Sequence, residues 1–169
     1  MGYQKPKPIG VSAEAISVFA ERIANALGLC PGAPLEPIIE QLGGKIQYLP
    51  INGDNSRKAS ITIEENGTFT IRLFSHIFPL QERMSIAHEL GHLFLHSKFG
   101  DVSLEAFRDV SNENELVESE AHRFAYAFLM PEKKVREEVE KVGKDSLKIA
   151  SIFMVPEPIA AQRIASIYK

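Results

Sequence analysis

The sequence contains a single cysteine, Cys30, and its 19 basic and 22 acidic residues nearly cancel, leaving a formal net charge of −3. One cysteine cannot close an intramolecular disulfide, which fits a reducing compartment. Cys30 itself reads as a small buried residue near a helix end. The charge balance gives no electrostatic case for nucleic-acid binding. No apolar run approaches the ~20 residues that a membrane helix needs. Residues 1–10 are polar and punctuated by proline, so no signal peptide is visible, and a cytoplasmic protein is expected. Internal repeats and low-complexity stretches are absent as well.

What is present suits one soluble domain. At 169 residues, 44% hydrophobic and 24% charged, the chain is of ordinary globular composition. A chain of this size buries roughly two-thirds of its unfolded surface and needs no covalent staple. Lys5-Pro6-Lys7-Pro8 cannot hold a helix. Residues 1–11 are therefore expected to be a flexible arm, and residues 12–169 the domain.

Ser12 caps a helix in which Ala15, Ile16, Phe19, Ile23 and Leu27 recur at helical spacing, and Gly28 ends it. A short helix with Ile38, Ile39 and Leu42 follows. The period then shortens to two: Ile46, Tyr48 and Ile51 alternate with polar residues, as do residues 60–64 and 68–73. Glu65-Asn66-Gly67 between the last two runs is a hairpin signal. The expected fold class is α+β, with a small antiparallel sheet of about three strands packed against a helical core. Helices are expected over 80–96, from Glu113 to Leu129, from Pro131 to Val142, and near 145–153 and 157–168. Residues 97–112 read mainly as loop, with a short turn around Leu104 to Phe107, and are long enough to act as a lid.

The chemistry sits in Ala87-His88-Glu89-Leu90-Gly91-His92. A helix places i and i+4 on one face, so His88 and His92 can direct a ring nitrogen at one ion. Glu89, one position on, flanks that ion without stacking on the same stripe, where a carboxylate can act as general base. Ile86, Leu90, Leu93, Phe94 and Leu95 bury the helix. Two histidines and a glutamate in that setting are costly without a compensating partner such as a metal. A catalytic zinc site usually takes three protein ligands and an open position. The helix from Glu113 is the best source of the third, through Glu118, with Glu115 and Glu120 as alternatives. His122 lies one turn from Glu118. His96 continues the i+4 series a further turn on and reads as a packed, hydrogen-bonded residue.

The block A-H-E-L-G-H-L-F-L-H, with Arg83 upstream, followed by E-S-E-A-H-R-F-A-Y-A-F-L-M-P, resembles the ImmA/IrrE family of zincin-like metallopeptidases. The resemblance covers most of residues 12–169. It implies one Zn2+ per chain held by His88, His92 and Glu118, with Glu89 as catalytic base. It further implies a protein substrate, often a repressor-like helix-turn-helix regulator, in the setting of mobile elements or stress responses. The family usually has asparagine where this chain has His122. That leaves His122 as a neighbour of the ligands, a transition-state donor or an alternative ligand. Tyr126 and His76 are further candidate donors to an oxyanion. The competing reading is a zinc-containing regulatory protein that docks or senses without cutting, and the intact Glu89 argues against it.

Two more features bear on binding. Residues 68–73 are the candidate edge strand for pairing with an extended substrate. Leu147 to Ile167 resembles a helix-turn-helix, but its second helix opens on Pro156-Glu157-Pro158 and carries few cations. It reads as helix packing and not as a DNA-reading element.

Overall fold

Asn66 and Gly67 show how the sheet begins. The Asn66 side chain accepts from the Thr68 amide at 3.0 Å and from the Thr68 hydroxyl at 2.7 Å. Gly67 takes φ +88, a conformation that costs glycine nothing, and its amide donates to Glu64 at 2.9 Å. The computed structural model describes residues 5–50, 59–75, 77–97, 104–107 and 112–169. In it this loop joins β2 (Ala59–Ile63) to β3 (Phe69–Phe74) as an antiparallel hairpin, with Ile63 opposite Phe69.

The α+β fold class holds, but the sheet differs from the expected one in two respects. Among the described residues it has four strands in the order β1-β3-β2-β4, and β1 (Gly44–Leu49) pairs with β3 in parallel. The fourth strand, β4 (Leu104–Phe107), pairs antiparallel with β2 inside the segment that reads as loop. Strand β3 is thus hydrogen-bonded on both sides and cannot receive an extended substrate. The outer strands are β1 and β4. All five residues of β2 are buried. Among them Thr62 is satisfied by a hydrogen bond from the Arg72 guanidinium.

The helices are α1 (Ala13–Ala26), α2 (Glu36–Gln41), α3 (Pro79–His96), α4 (Asn112–Leu129), α5 (Glu132–Val142), α6 (Ser146–Phe153) and α7 (Glu157–Ile167). The Ser12 hydroxyl caps α1 by accepting from the Ala15 amide at 3.1 Å. Pro131 stands at the N-cap of α5, just before the helix and not as its first residue. Helix α3 lies against β2 and β3 on one side and packs along α4 on the other, and α4 packs in turn on α1. Ile61, Ile71, Leu73, Leu90, Phe124 and Phe128 meet in the core between these layers. The site below is therefore carried on two helices held between a sheet and a third helix.

Two further expectations change, and the reading of the C-terminal helix pair as packing is kept. Cys30 is exposed, although Leu29 beside it is buried in the core. The arm is not flexible throughout: the Ile9 and Gly10 amides donate to the Glu120 carboxylate at 3.0 and 3.1 Å, and Ile9 packs partly against the core. The α6–α7 pair packs into the domain. Arg163, the main cation of its second helix, is 6% exposed and donates to Met130 O at 2.9 Å and to Glu21 at 2.6 Å, so it is not offered to a phosphate. Ile51 lies outside the described residues, as does most of the proposed lid (98–103 and 108–111). Among the described residues no helix is long and apolar enough to cross a membrane.

Candidate metal centre

Residues 86–93 of α3 are all buried, polar ones included. His88, Glu89 and His92 are each 1% exposed. The polar triplet can sit so deep because α4 brings further polar groups to it. The approach of the two helices depends on Gly91. A Cβ there would lie 2.9 Å from the Ala121 carbonyl oxygen and 3.0 Å from its Cα. Small residues on both sides let the axes come together, and the long side chain of Glu118, one turn before His122, then reaches across.

His88 Nε2 lies 2.7 Å from one Glu118 oxygen, and His92 Nε2 lies 3.2 Å from the other. One ligand atom from each of the three residues lies within 4.8 Å of the rest, so the group can hold a metal ion. Two imidazoles and a carboxylate form a three-donor set, which would leave room for a reactant on a bound zinc. Burial pushes the Glu118 carboxyl up, but hydrogen bonds from His88 and His92 outweigh it. The net shift is well below the usual carboxylate range, so the donor is kept in its anionic form.

Behind His92 stands a second row. His92 Nδ1 lies 2.9 Å from His96 Nδ1, and His96 Nε2 lies 3.2 Å from Glu120. Burial first, then the neighbouring His92, lowers the His96 pKa to about 4, against the opposing pull of Glu120. His96 is accordingly neutral near pH 7 and can accept on one nitrogen while donating from the other.

With that geometry in place, comparison with known proteins is decisive at the level of family. The sequence profile of Peptidase_M78, described as the IrrE N-terminal-like domain, matches residues 39–165. The chain belongs to this family. Its fold is also that of a solved structure described as a Mycobacterium tuberculosis transcriptional regulator, with a TM-score of 0.57 and 18% identity. That match covers 88% of this chain and 46% of the other, so the present chain spans about half the length of that protein. Identity at this level establishes shared fold alone. No curated protein matches the sequence significantly.

The remaining candidates of this M78 domain take distinct places. His122 is exposed, with its ring 4.4 Å from that of His88, and it is not part of the three-donor group. Tyr126 is half-buried, one turn beyond, with its ring 6.1 Å from His122. Burial raises the Tyr126 pKa against the opposing charge of Arg123, which keeps its hydroxyl protonated. Glu115 is exposed, and Glu120 faces His96 and the N-terminal segment in place of the donor cluster. His76 lies outside the described residues. Sequence reasoning missed what Glu120 does. The available signal was its position between the buried residues Val117, Ala121 and Phe124, where a glutamate must have partners.

Proposed function

We propose that this chain is a cytoplasmic zinc endopeptidase that cuts a protein partner, a helix-turn-helix transcriptional regulator or a protein like it. The observation that carries the reading is the convergence of His88, His92 and Glu118, from two helices, beside a buried Glu89. Membership of the M78 peptidase family supports the same chemistry.

His88, His92 and Glu118 would hold the zinc. Two neutral imidazoles and one carboxylate match its preference for nitrogen and oxygen donors and leave room for a reactant. Zinc bound there would supply Lewis acidity that polarises a carbonyl and acidifies water. Glu89 takes the proton from the attacking water and later delivers it to the departing amine. Glu89 is only 1% exposed, buried beside the donor cluster. His122, its ring 4.4 Å from that of His88, and Tyr126, one turn further along α4, would donate to a developing oxyanion.

The second reading is a metal-containing regulator that docks without cutting. It is favoured by the M. tuberculosis protein of the same fold, which is described as a transcriptional regulator. One experiment separates the two. Purified chain is assayed for zinc and then incubated with the regulator encoded beside its own gene. Peptidase function requires about one zinc per chain, fragments with the wild type, and no fragments with Glu89→Gln that still carries zinc. Zinc retention with no cleavage of that regulator by the wild type favours the docking reading. Protein that takes up no zinc would refute both.

A further inference from the structure

We infer that His96, Glu120 and the N-terminal segment at Ile9–Gly10 form a positioning chain for the metal ligand His92. The inference rests on the metal-site reading above. His92 Nε2 faces the Glu118 carboxylate, 3.2 Å away, so Nε2 is its site-facing nitrogen. A nitrogen that ligates a metal carries no proton. With zinc bound, neutral His92 would keep its proton on Nδ1, the atom 2.9 Å from His96 Nδ1. His96 must accept there, which places its own proton on Nε2, the atom 3.2 Å from Glu120 Oε1. One arrangement of protons thus satisfies every link, and it ends on an anion that only accepts.

Glu120 is the fixed end. It is 3% exposed and takes three hydrogen bonds: from His96, from the Ile9 amide at 3.0 Å and from the Gly10 amide at 3.1 Å. Two of these donors come from backbone more than a hundred residues earlier in the chain. A buried carboxylate without enough donors takes up water or turns toward other groups. The N-terminal segment thereby holds the carboxylate that orients His96, which in turn orients His92. The Ile9–Gly10 backbone supports the metal site through two amides and not through a ligand.

The test measures Zn2+ affinity in the full chain by competition with a chromophoric chelator, together with unfolding of the metal-free protein. His96→Met and Glu120→Ala break the chain and should weaken zinc binding about 10- to 100-fold, the usual range for partners of metal-ligating histidines. His96→Gln keeps an acceptor and a donor in series and should retain affinity near that of the wild type. Ile9→Pro deletes one donor to Glu120 and should weaken binding several-fold relative to Ile9→Ala, which keeps the amide and loses only side-chain packing. If Glu120→Ala does not fold, His96→Gln against His96→Met and Ile9→Pro against Ile9→Ala still decide the matter. Unchanged zinc affinity in His96→Met, with wild-type chain binding one zinc, overturns the positioning role. Equal affinities for the two Ile9 variants overturn the part assigned to the N-terminal segment. Absence of zinc from the wild type would instead overturn the site reading beneath the proposal.

Discussion

The Gly91 Cα faces Ala121 so closely that an added methyl would meet the Ala121 carbonyl oxygen at 2.9 Å and its Cα at 3.0 Å. Both are backbone atoms and cannot swing aside. Gly91→Ala gains about 1 kcal/mol of helix propensity. It must also push α3 from α4, and overpacking of this kind costs about 1–3 kcal/mol. We expect a net loss of up to about 2 kcal/mol in the metal-free protein, read from denaturant unfolding. The displacement draws Glu118 away from His88 and His92, so zinc affinity should fall as well. An alanine variant as stable as the wild type, with full zinc affinity, would show that this contact does not set the ligand geometry.

Among the described residues, Glu118 is the one donor that α4 gives to the cluster. Glu118→Ala leaves two histidines and should abolish stoichiometric zinc binding, and His88→Ala should do the same. A ligand at a hundred times its dissociation constant stabilises the folded state by about 2.7 kcal/mol. Thermal unfolding of the wild type should therefore shift upward with added zinc, whereas that of Glu118→Ala should not move. Glu89→Gln should shift as the wild type does, because Glu89 is not among the three donors. A zinc-dependent shift that survives Glu118→Ala would point to a different third ligand.

The parts of this site that were legible in the sequence are those that a single helix encodes. His88 and His92 at i, i+4, with Glu89 between them, follow from helical period alone. So does the hairpin at Glu65-Asn66-Gly67, where local turn chemistry decides the pairing. From spacing Glu118 was the favoured of several glutamates, and the family resemblance singled it out. Which of them reaches α3 depends on where two helices cross, and that is fixed by a contact between Gly91 and Ala121, thirty positions apart. The parallel pairing of β1 with β3 and the pairing of β4 with β2 are long-range choices that alternation does not specify. The tie between Ile9, Gly10 and Glu120 left no pattern to find, since the donors are backbone amides carried by every residue except proline.

Tyr48, on β1, donates its hydroxyl proton to Glu82 in the first turns of α3 at 2.5 Å. The hydrogen bond to Glu82 comes first, then burial and the charges of Glu82 and Glu36, and together they push the Tyr48 pKa up from 10.0 to about 12. The folded state then holds this proton more tightly than the unfolded chain does. Its contribution to stability is fully present below pH 10 and is lost as pH rises through the window from 10 to about 12. Tyr48→Phe should flatten the fall in the urea midpoint across that window. An identical alkaline profile for the phenylalanine variant would assign the loss to other groups. Tyr48 is 52% exposed, so the effect should be small and should shrink with added salt.

Arg163 ties the C-terminal helix to two distant elements. Its Nε donates to the Met130 carbonyl at the end of α4, and its Nη2 donates to Glu21 on α1. Burial lowers the Arg163 pKa and the Glu21 charge opposes that shift, as expected for a cation held inside by its partner. Arg163→Met preserves most of the apolar volume and removes both donors. Breaking a fully buried pair costs about 3–5 kcal/mol. The Glu21 side chain is 25% exposed and can be rehydrated, so a loss of about 2–3 kcal/mol is the better expectation. Glu21→Gln keeps an acceptor in place and should cost less, and the double variant should cost less than the sum of the two. Zinc affinity should be unchanged in all three, since none of these groups touches His88, His92 or Glu118. A loss in Arg163→Met no larger than that of a surface substitution would mean that α7 is held by its apolar face alone. A loss accompanied by weaker zinc binding would mean that the C-terminal helices help to set the position of α4 at the metal.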